Sequence, residues 1–278
     1  MRVDAHQHFW RYGAGEYGWI DESMSILRRD FLPRDLEPEL RTGGFDACIS
    51  VQARQTEEET RWLLELAAEA PFIAGVIGWV DLCREDVRAR LAELARDPRL
   101  VGVRHVVQSE SDDRFLLRHD FMRGIAALEE FALTYDLLVL PRHLPVAAEL
   151  VRCFPRQPFV LDHLAKPFIR AGLLEPWAAH LHELASSPNV LCKLSGMVTE
   201  ADWKAWRPED FRPYLEVALD AFGPDRLMIG SDWPVCTLAA SHPEVTALVA
   251  GFLAHHPPEV RERVLGENAR RLWRLPRV

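Results

Sequence analysis

The chain has 278 residues, a formal net charge of −9 and 48% hydrophobic residues, a composition that suits a globular fold. The acidic balance, with no dominating basic patch, excludes a nucleic-acid footprint, and no apolar run nears the ~18 residues a membrane span needs. Five widely spaced cysteines (Cys48, Cys83, Cys153, Cys192 and Cys236) are odd in number and form no C-x-x-C pair, so free thiols in a reducing cytoplasm are expected.

Taken in chain order, a first strand is expected at Val3–His8. No basic–apolar–small leader pattern precedes it, and removing a leader would remove this strand. A long connection then runs to about Asp46 and carries Trp10, Tyr12, Tyr17 and Trp19. It suits either a lid or pocket wall, or a cover packed on the barrel. A short helix is expected near Pro38–Arg41. The second strand is expected at Ala47–Gln52, followed by a helix that starts in a capping box at Thr56–Glu59 and packs Trp62, Leu63 and Leu66. The third strand is expected at Ile73–Val80, the fourth at Leu100–Val106 and the fifth at Leu138–Arg142. The sixth, seventh and eighth are expected at Phe159–His163, Val190–Ser195 and Leu227–Asp232. Between them, helical periods recur at Val87, Leu91 and Leu94; at Phe121, Ile125 and Leu128; at Trp177, Leu181 and Leu184; and at Phe211, Leu215 and Leu219. Two further helices, around Glu244–His255 and Glu259–Leu272, close the chain.

Most strand segments are Val/Ile/Leu runs without strict alternation, as in parallel sheets covered on both faces. Alternating strand and helix indicates an α/β protein. A (β/α)₈ TIM barrel takes roughly 250 residues, so residues 1–278 are read as one barrel domain. No G-x-G-x-x-G or Walker-type loop supports an open nucleotide-binding sheet.

Chemistry concentrates at the strand ends. His6 and His8 lie two apart on the first strand and share a face. They sit at its C-terminal end, where barrel enzymes place their sites. His163 ends the sixth strand and Asp232 the eighth. Two imidazoles so placed suit a metal or a polarised carbonyl; two hydrogen-bonded loop histidines are the plain alternative. Lys193, amid Val and Leu on the seventh strand, needs either a substrate or a carboxylate partner. Arg104 and His105 point to opposite faces, as do Arg142 and His143; Arg104 and His143 are taken as the pocket members. Gln52, Trp79 and Trp233 stand at strand ends and suit a sugar pocket, although Trp79 suits the core equally. His180, His182, His255 and His256 are expected on the surface.

The motifs DAHQHFW at the start, PRHLP at Pro141–Pro145, FVLDHLAKP at Phe159–Pro167, CKLSGM at Cys192–Met197 and GSDWPV at Gly230–Val235 resemble the amidohydrolase superfamily. They are most similar to its sugar-lactonase branch, which includes L-fuconolactone and L-rhamnonolactone hydrolases. The resemblance spans nearly the whole chain. It implies a barrel in which His6, His8, His163 and Asp232 surround a scissile carbonyl, with a small sugar lactone as substrate and no membrane or nucleic-acid partner. Many superfamily members bridge two metals through a lysine or glutamate on the fourth strand. Here the only lysines are Lys166, Lys193 and Lys204, and none lies there. One divalent ion such as Zn²⁺, held by some of His6, His8, His163 and Asp232, or no cofactor at all, is therefore expected.

The resulting expectation is lactone hydrolysis, with Asp232 as general base and the three histidines stabilising the oxyanion. Two rivals use the same scaffold. A decarboxylase has an absolute metal requirement, and a dicarboxylate-lactone hydrolase needs several arginines converging in the lumen. A non-catalytic sugar-binding barrel would bind without turnover. Fold alone does not separate them.

Overall fold

The computed structural model describes residues 1–275. Eight parallel strands run in sequential order around one sheet: β1 (Val3–Gln7), β2 (Ala47–Val51), β3 (Ile73–Gly78), β4 (Leu100–His105), β5 (Thr134–Leu137), β6 (Phe159–Leu161), β7 (Val190–Leu194) and β8 (Leu227–Ile229). A parallel bridge from Gln7 to Trp233 joins the last strand to the first. One helix follows each strand: α1 (Pro33–Gly43), α2 (Glu57–Glu69), α3 (Val87–Leu94), α4 (His119–Leu128), α5 (Leu144–Cys153), α6 (Trp177–Ala185), α7 (Pro208–Phe222) and α8 (His242–Leu253). This is a (β/α)₈ barrel, as the alternation of elements implied.

Two apolar clusters hold it. The larger lies between sheet and helices, and the smaller joins Val3, Ala5, Ile49, Val51, Ile77, Val160 and Met228 to Trp273 and Leu275 near the chain's end. The closing segment is broken into α9 (Pro258–Glu262) and α10 (Asn268–Leu272) by a wider turn at Arg263–Glu267. There Gly266 packs against Met1 and Arg2 so closely that a Cβ would meet Met1 O at 2.3 Å. Three cysteines are buried, but Cys153 is exposed. Among the described residues no helix is long and apolar enough to cross a membrane.

Three readings need correction. The fifth strand is Thr134–Leu137, not Leu138–Arg142, and Pro141–His143 is a helical turn leading into α5. The buried stripe of α2 is Thr60, Leu63, Leu64 and Ala67, an i, i+3, i+4, i+7 face; Trp62 and Leu66 flank it, half-buried. The capping box there is half-formed. Thr56 accepts from Glu59 N, but the Glu59 carboxylate accepts from Ala53 N and Arg54 N instead.

The long connection after β1 combines both expected roles. Trp10, Tyr17 and Phe31 are buried and packed ring on ring. Trp19 remains 41% exposed and, with Glu16 and Met24, walls the cavity described next.

Candidate active site

At the C-terminal ends of the strands lies a cavity of about 690 Å³. His8, Gln52, Arg104, His163 and Asp232 line it, together with Lys166, Glu200 and Trp203. His6 and Lys193 are wholly buried just beneath.

The β1 histidines are fixed by their partners. His8 Nδ1 lies 2.8 Å from Val51 O. A carbonyl only accepts, so Nδ1 carries a proton, and in the neutral ring Nε2 is left to face the site. His6 Nδ1 lies 3.3 Å from Asp162 Oδ1 and 3.2 Å from Lys193 Nζ. Asp4 holds the strand end to β8 by accepting from Ser231 N and Ser231 Oγ, and it pairs with His242.

Asp232 reaches all three histidines. Its Oδ1 stands 3.4 Å from His8 Nε2, 3.8 Å from His6 Nε2 and 4.0 Å from His163 Nε2. His6 Nε2 and His8 Nε2 are 3.2 Å apart. Burial alone would raise the Asp232 carboxyl, but the imidazoles of His163, His8 and His6 hold it well below the usual carboxylate range. Burial pushes His163 down to about 4 against the pull of Asp232 and Asp162. Burial likewise lowers His6. Near neutral pH the site therefore holds an ionised carboxylate beside the neutral rings of His6 and His163.

His6 Nε2, His8 Nε2 and Asp232 Oδ1 converge, and acceptors so placed need a proton or a cation among them. The triangle they form, with edges of 3.2, 3.4 and 3.8 Å, matches the edge of roughly 3.3 Å expected for ligands about 2.0–2.1 Å from a tetrahedral ion. The side chains thus fit one divalent ion. Arg104 also answers the need: its Nη1 lies 3.3 Å from His6 Nε2. A second grouping, His6 with Asp162 and His163, is less free, because Asp162 already pairs with Arg104 at 3.0 Å and with Lys193 at 3.0 Å.

Beneath the cavity, Lys193 bridges Asp136 of β5 and Asp162. Burial would lower the ammonium, but these two carboxylates raise it. Arg104 is held by Gln52 through both its side-chain oxygen and its carbonyl. Lys193 therefore has carboxylate partners, and Gln52 and Arg104 have places in the lining.

The remaining assignments end elsewhere. His143 does not line the cavity. Once β5 ends at Leu137, His143 falls in the turn before α5, where its ring accepts from Leu140 N and meets Asp113 at 3.1 Å. Trp79 is half-buried and donates to His105, outside the cavity lining. Trp233 is buried against Phe9 and Phe31. Sequence reasoning missed Asp136, Asp162, Lys166 and Glu200. Asp162 and Lys166 flank His163 within DHLAKP, which was their only signal.

The turn carrying His163 is strained. His163, Leu164, Ala165 and Lys166 have φ of +53, +52, +58 and +56°, a left-handed turn of non-glycine residues that costs roughly 1–2 kcal/mol per residue. Trp177 Nε1 fixes it by donating to Leu164 O at 2.7 Å. Ser195 Oγ meets His163 Nδ1 at 2.9 Å. Gly196 lies under the ring, at φ +62°, where a Cβ would stand 2.4 Å from His163 Nδ1. Gly196→Ala is expected to displace the imidazole. A misplacement of ~1 Å can cost on the order of 10²-fold even when it starts away from the chemistry, so steady-state kcat/KM should fall by roughly that factor in a folded variant. A loss below about threefold would show that the ring position tolerates the change.

Known proteins resemble this chain over nearly its whole length. A family model described as amidohydrolase matches residues 3–275. An L-fucono-1,5-lactonase of Burkholderia multivorans is 45% identical over 287 residues, covering 99% of this chain and 97% of that protein. An L-fucono-1,5-lactonase of Burkholderia ambifaria is 41% identical over 286 residues, covering 100% and 97%. The crystal structure of a Burkholderia multivorans amidohydrolase with bound zinc is 44% identical, covers 99% of this chain and all of that one, and superposes with a TM-score of 0.96.

Proposed function

The chain belongs to the amidohydrolase family, and from that premise we propose that it is a lactonase opening the ester of a small sugar lactone of the L-fucono-1,5-lactone kind. The observation that carries this reading is one ionised carboxylate, Asp232, set 3.4–4.0 Å from three imidazoles at the mouth of the barrel. Full-length likeness to two L-fucono-1,5-lactonases supports the substrate class.

The mechanism follows from these side chains. Water in the cavity gives a proton to Asp232 as its oxygen attacks the ring carbonyl. The carboxylic acid then returns that proton to the ring oxygen as the C–O bond breaks. One residue thus serves both half-steps, and the product is an open hydroxy acid. A carboxylate held below its usual range is a weak base, so the ester must be polarised too. Arg104, aimed by Gln52 and Asp162, supplies fixed positive charge for the developing oxyanion. A single divalent ion held by His6, His8 and Asp232 would add Lewis-acid polarisation when bound. At most one ion is proposed, because β4 offers Arg104 where a bridging lysine or carboxylate would be needed for two.

A pH-indicator screen of sugar lactones, with and without chelator, tests the reading. Acid release from L-fucono-1,5-lactone is expected. No release from any sugar lactone, with carbon dioxide release from an aromatic carboxylic acid instead, would favour the decarboxylase.

A further inference from the structure

The cavity holds a charged pair that the hydrolytic mechanism does not use. Lys166 comes from the left-handed turn after β6 and Glu200 from the short helical turn Val198–Glu200 after β7. Both line the cavity with His163 and Asp232. Their side chains are only 24% and 27% exposed, so they face the cavity rather than open solvent. In a left-handed turn, residues three apart share a side. The strain that sets His163 therefore sets Lys166 beside it, tied by a 2.7 Å bond from Lys166 N to His163 O.

Lys166 Nζ stands 3.8 Å from Glu200 Oε1. That is close enough for charges to attract but longer than a hydrogen bond. Neither head group has another side-chain hydrogen bond among the described residues, so donors and acceptors remain free. Burial raises the Glu200 carboxyl, with Asp232 adding to it and Lys166 opposing, which sets this second carboxyl within the electrostatic reach of the catalytic one. Trp203 lines the same wall and Trp19 the cavity as well. Aromatic side chains and a polar pair lining one cavity suit a polyhydroxylated ring.

We infer that Lys166 and Glu200 form a specificity clamp for a ring hydroxyl of the lactone: the hydroxyl donates to Glu200 and accepts from Lys166. The inference rests on the lactonase reading and deepens it, by assigning preference for hydroxylated over unsubstituted lactones to one pair. A site built to bond a hydroxyl rejects analogues lacking it, because its buried polar groups are left unpaired.

The test compares kcat and KM on L-fucono-1,5-lactone and on δ-valerolactone, which has no ring hydroxyl. The proteins are wild type, Glu200→Gln, Lys166→Met and the double variant, with folding followed by circular dichroism. Each single variant should lose about 10- to 100-fold in kcat/KM on the sugar lactone, mostly in KM. Rates on δ-valerolactone should change by less than about threefold, and the double variant should lose little more than the worse single one, since one hydroxyl is shared. Equal losses on both lactones would overturn the clamp and leave the pair a merely structural role, and unchanged sugar-lactone kinetics would overturn it too. Wild type that opens δ-valerolactone but no sugar lactone overturns the clamp while lactone hydrolysis stands. Wild type that opens neither overturns both. Should Glu200→Gln fail to fold, Glu200→Asp withdraws the carboxylate by one methylene and must show the same split.

Discussion

Asp232→Asn is expected to lower kcat on L-fucono-1,5-lactone by ~10²–10⁴, the usual value of general-base help, in a chain that still folds. The fold should survive for two reasons. Asp232 has φ +59°, a left-handed conformation that Asn tolerates well. Its main-chain bonds, from Asp232 N to His6 O and from Cys236 N to Asp232 O, do not involve the carboxylate. The chemistry should not survive, because an amide neither takes a proton from water nor returns one to the leaving oxygen. The variant also removes one corner of the His6–His8–Asp232 triangle, so any tightly held ion should be lost with activity. Steady-state kinetics, elemental analysis and circular dichroism on one preparation separate these effects. A loss below about tenfold would exclude Asp232 as the base. His163 would then be the next candidate, since burial keeps its ring neutral.

The barrel was legible because its strands are runs of apolar residues at regular spacing, and seven of the eight lie where those runs are. The exception explains itself. The apolar run ending at Leu140 suggests a strand at Leu138–Arg142, yet the strand is Thr134–Leu137 with Asp136 turned inward. A carboxylate argues against a strand until Lys193, 57 residues away, is seen to pair with it. A strand at Leu138–Arg142 would put His143 in the pocket, while the molecule uses it to cap the turn before α5. His6, His8, His163 and Asp232 were legible for a different reason: they stand at the ends of separate strands, and closing the sheet brings all ends to one mouth. Lys166 and Glu200 were not. Lys166 depends on four left-handed residues without a glycine, which no propensity announces. Glu200 sits on a loop whose place is set by tertiary packing.

Lys193→Met should produce the largest loss of stability of any single change in the lumen, on the order of 3–5 kcal/mol. The ammonium is wholly buried and pairs with Asp136 and Asp162. Methionine keeps most of the stem but leaves two carboxylates in the interior, with Arg104 and the His6 ring still beside Asp162. For a chain of this size that corresponds to a drop in Tm on the order of 10 °C. The loss should depend on pH in a defined direction. Burial, followed by Asp162, already raises Asp136 above its ordinary value against the pull of Lys193. A carboxyl whose folded pKa lies above its unfolded value binds more protons when native, so stability falls as pH rises from about 4 through the folded value. Without Lys193 that folded value moves higher still, and the gap between wild type and variant should widen between pH 5 and pH 8. Adding Asp136→Asn to Lys193→Met removes one stranded charge and should restore part of the loss, most of all at pH 8. Differential scanning calorimetry of the three proteins at both pH values decides it. A gap independent of pH, with no rescue by the double variant, would show that Lys193 acts through packing of its stem rather than as the counter-ion of the buried carboxylates.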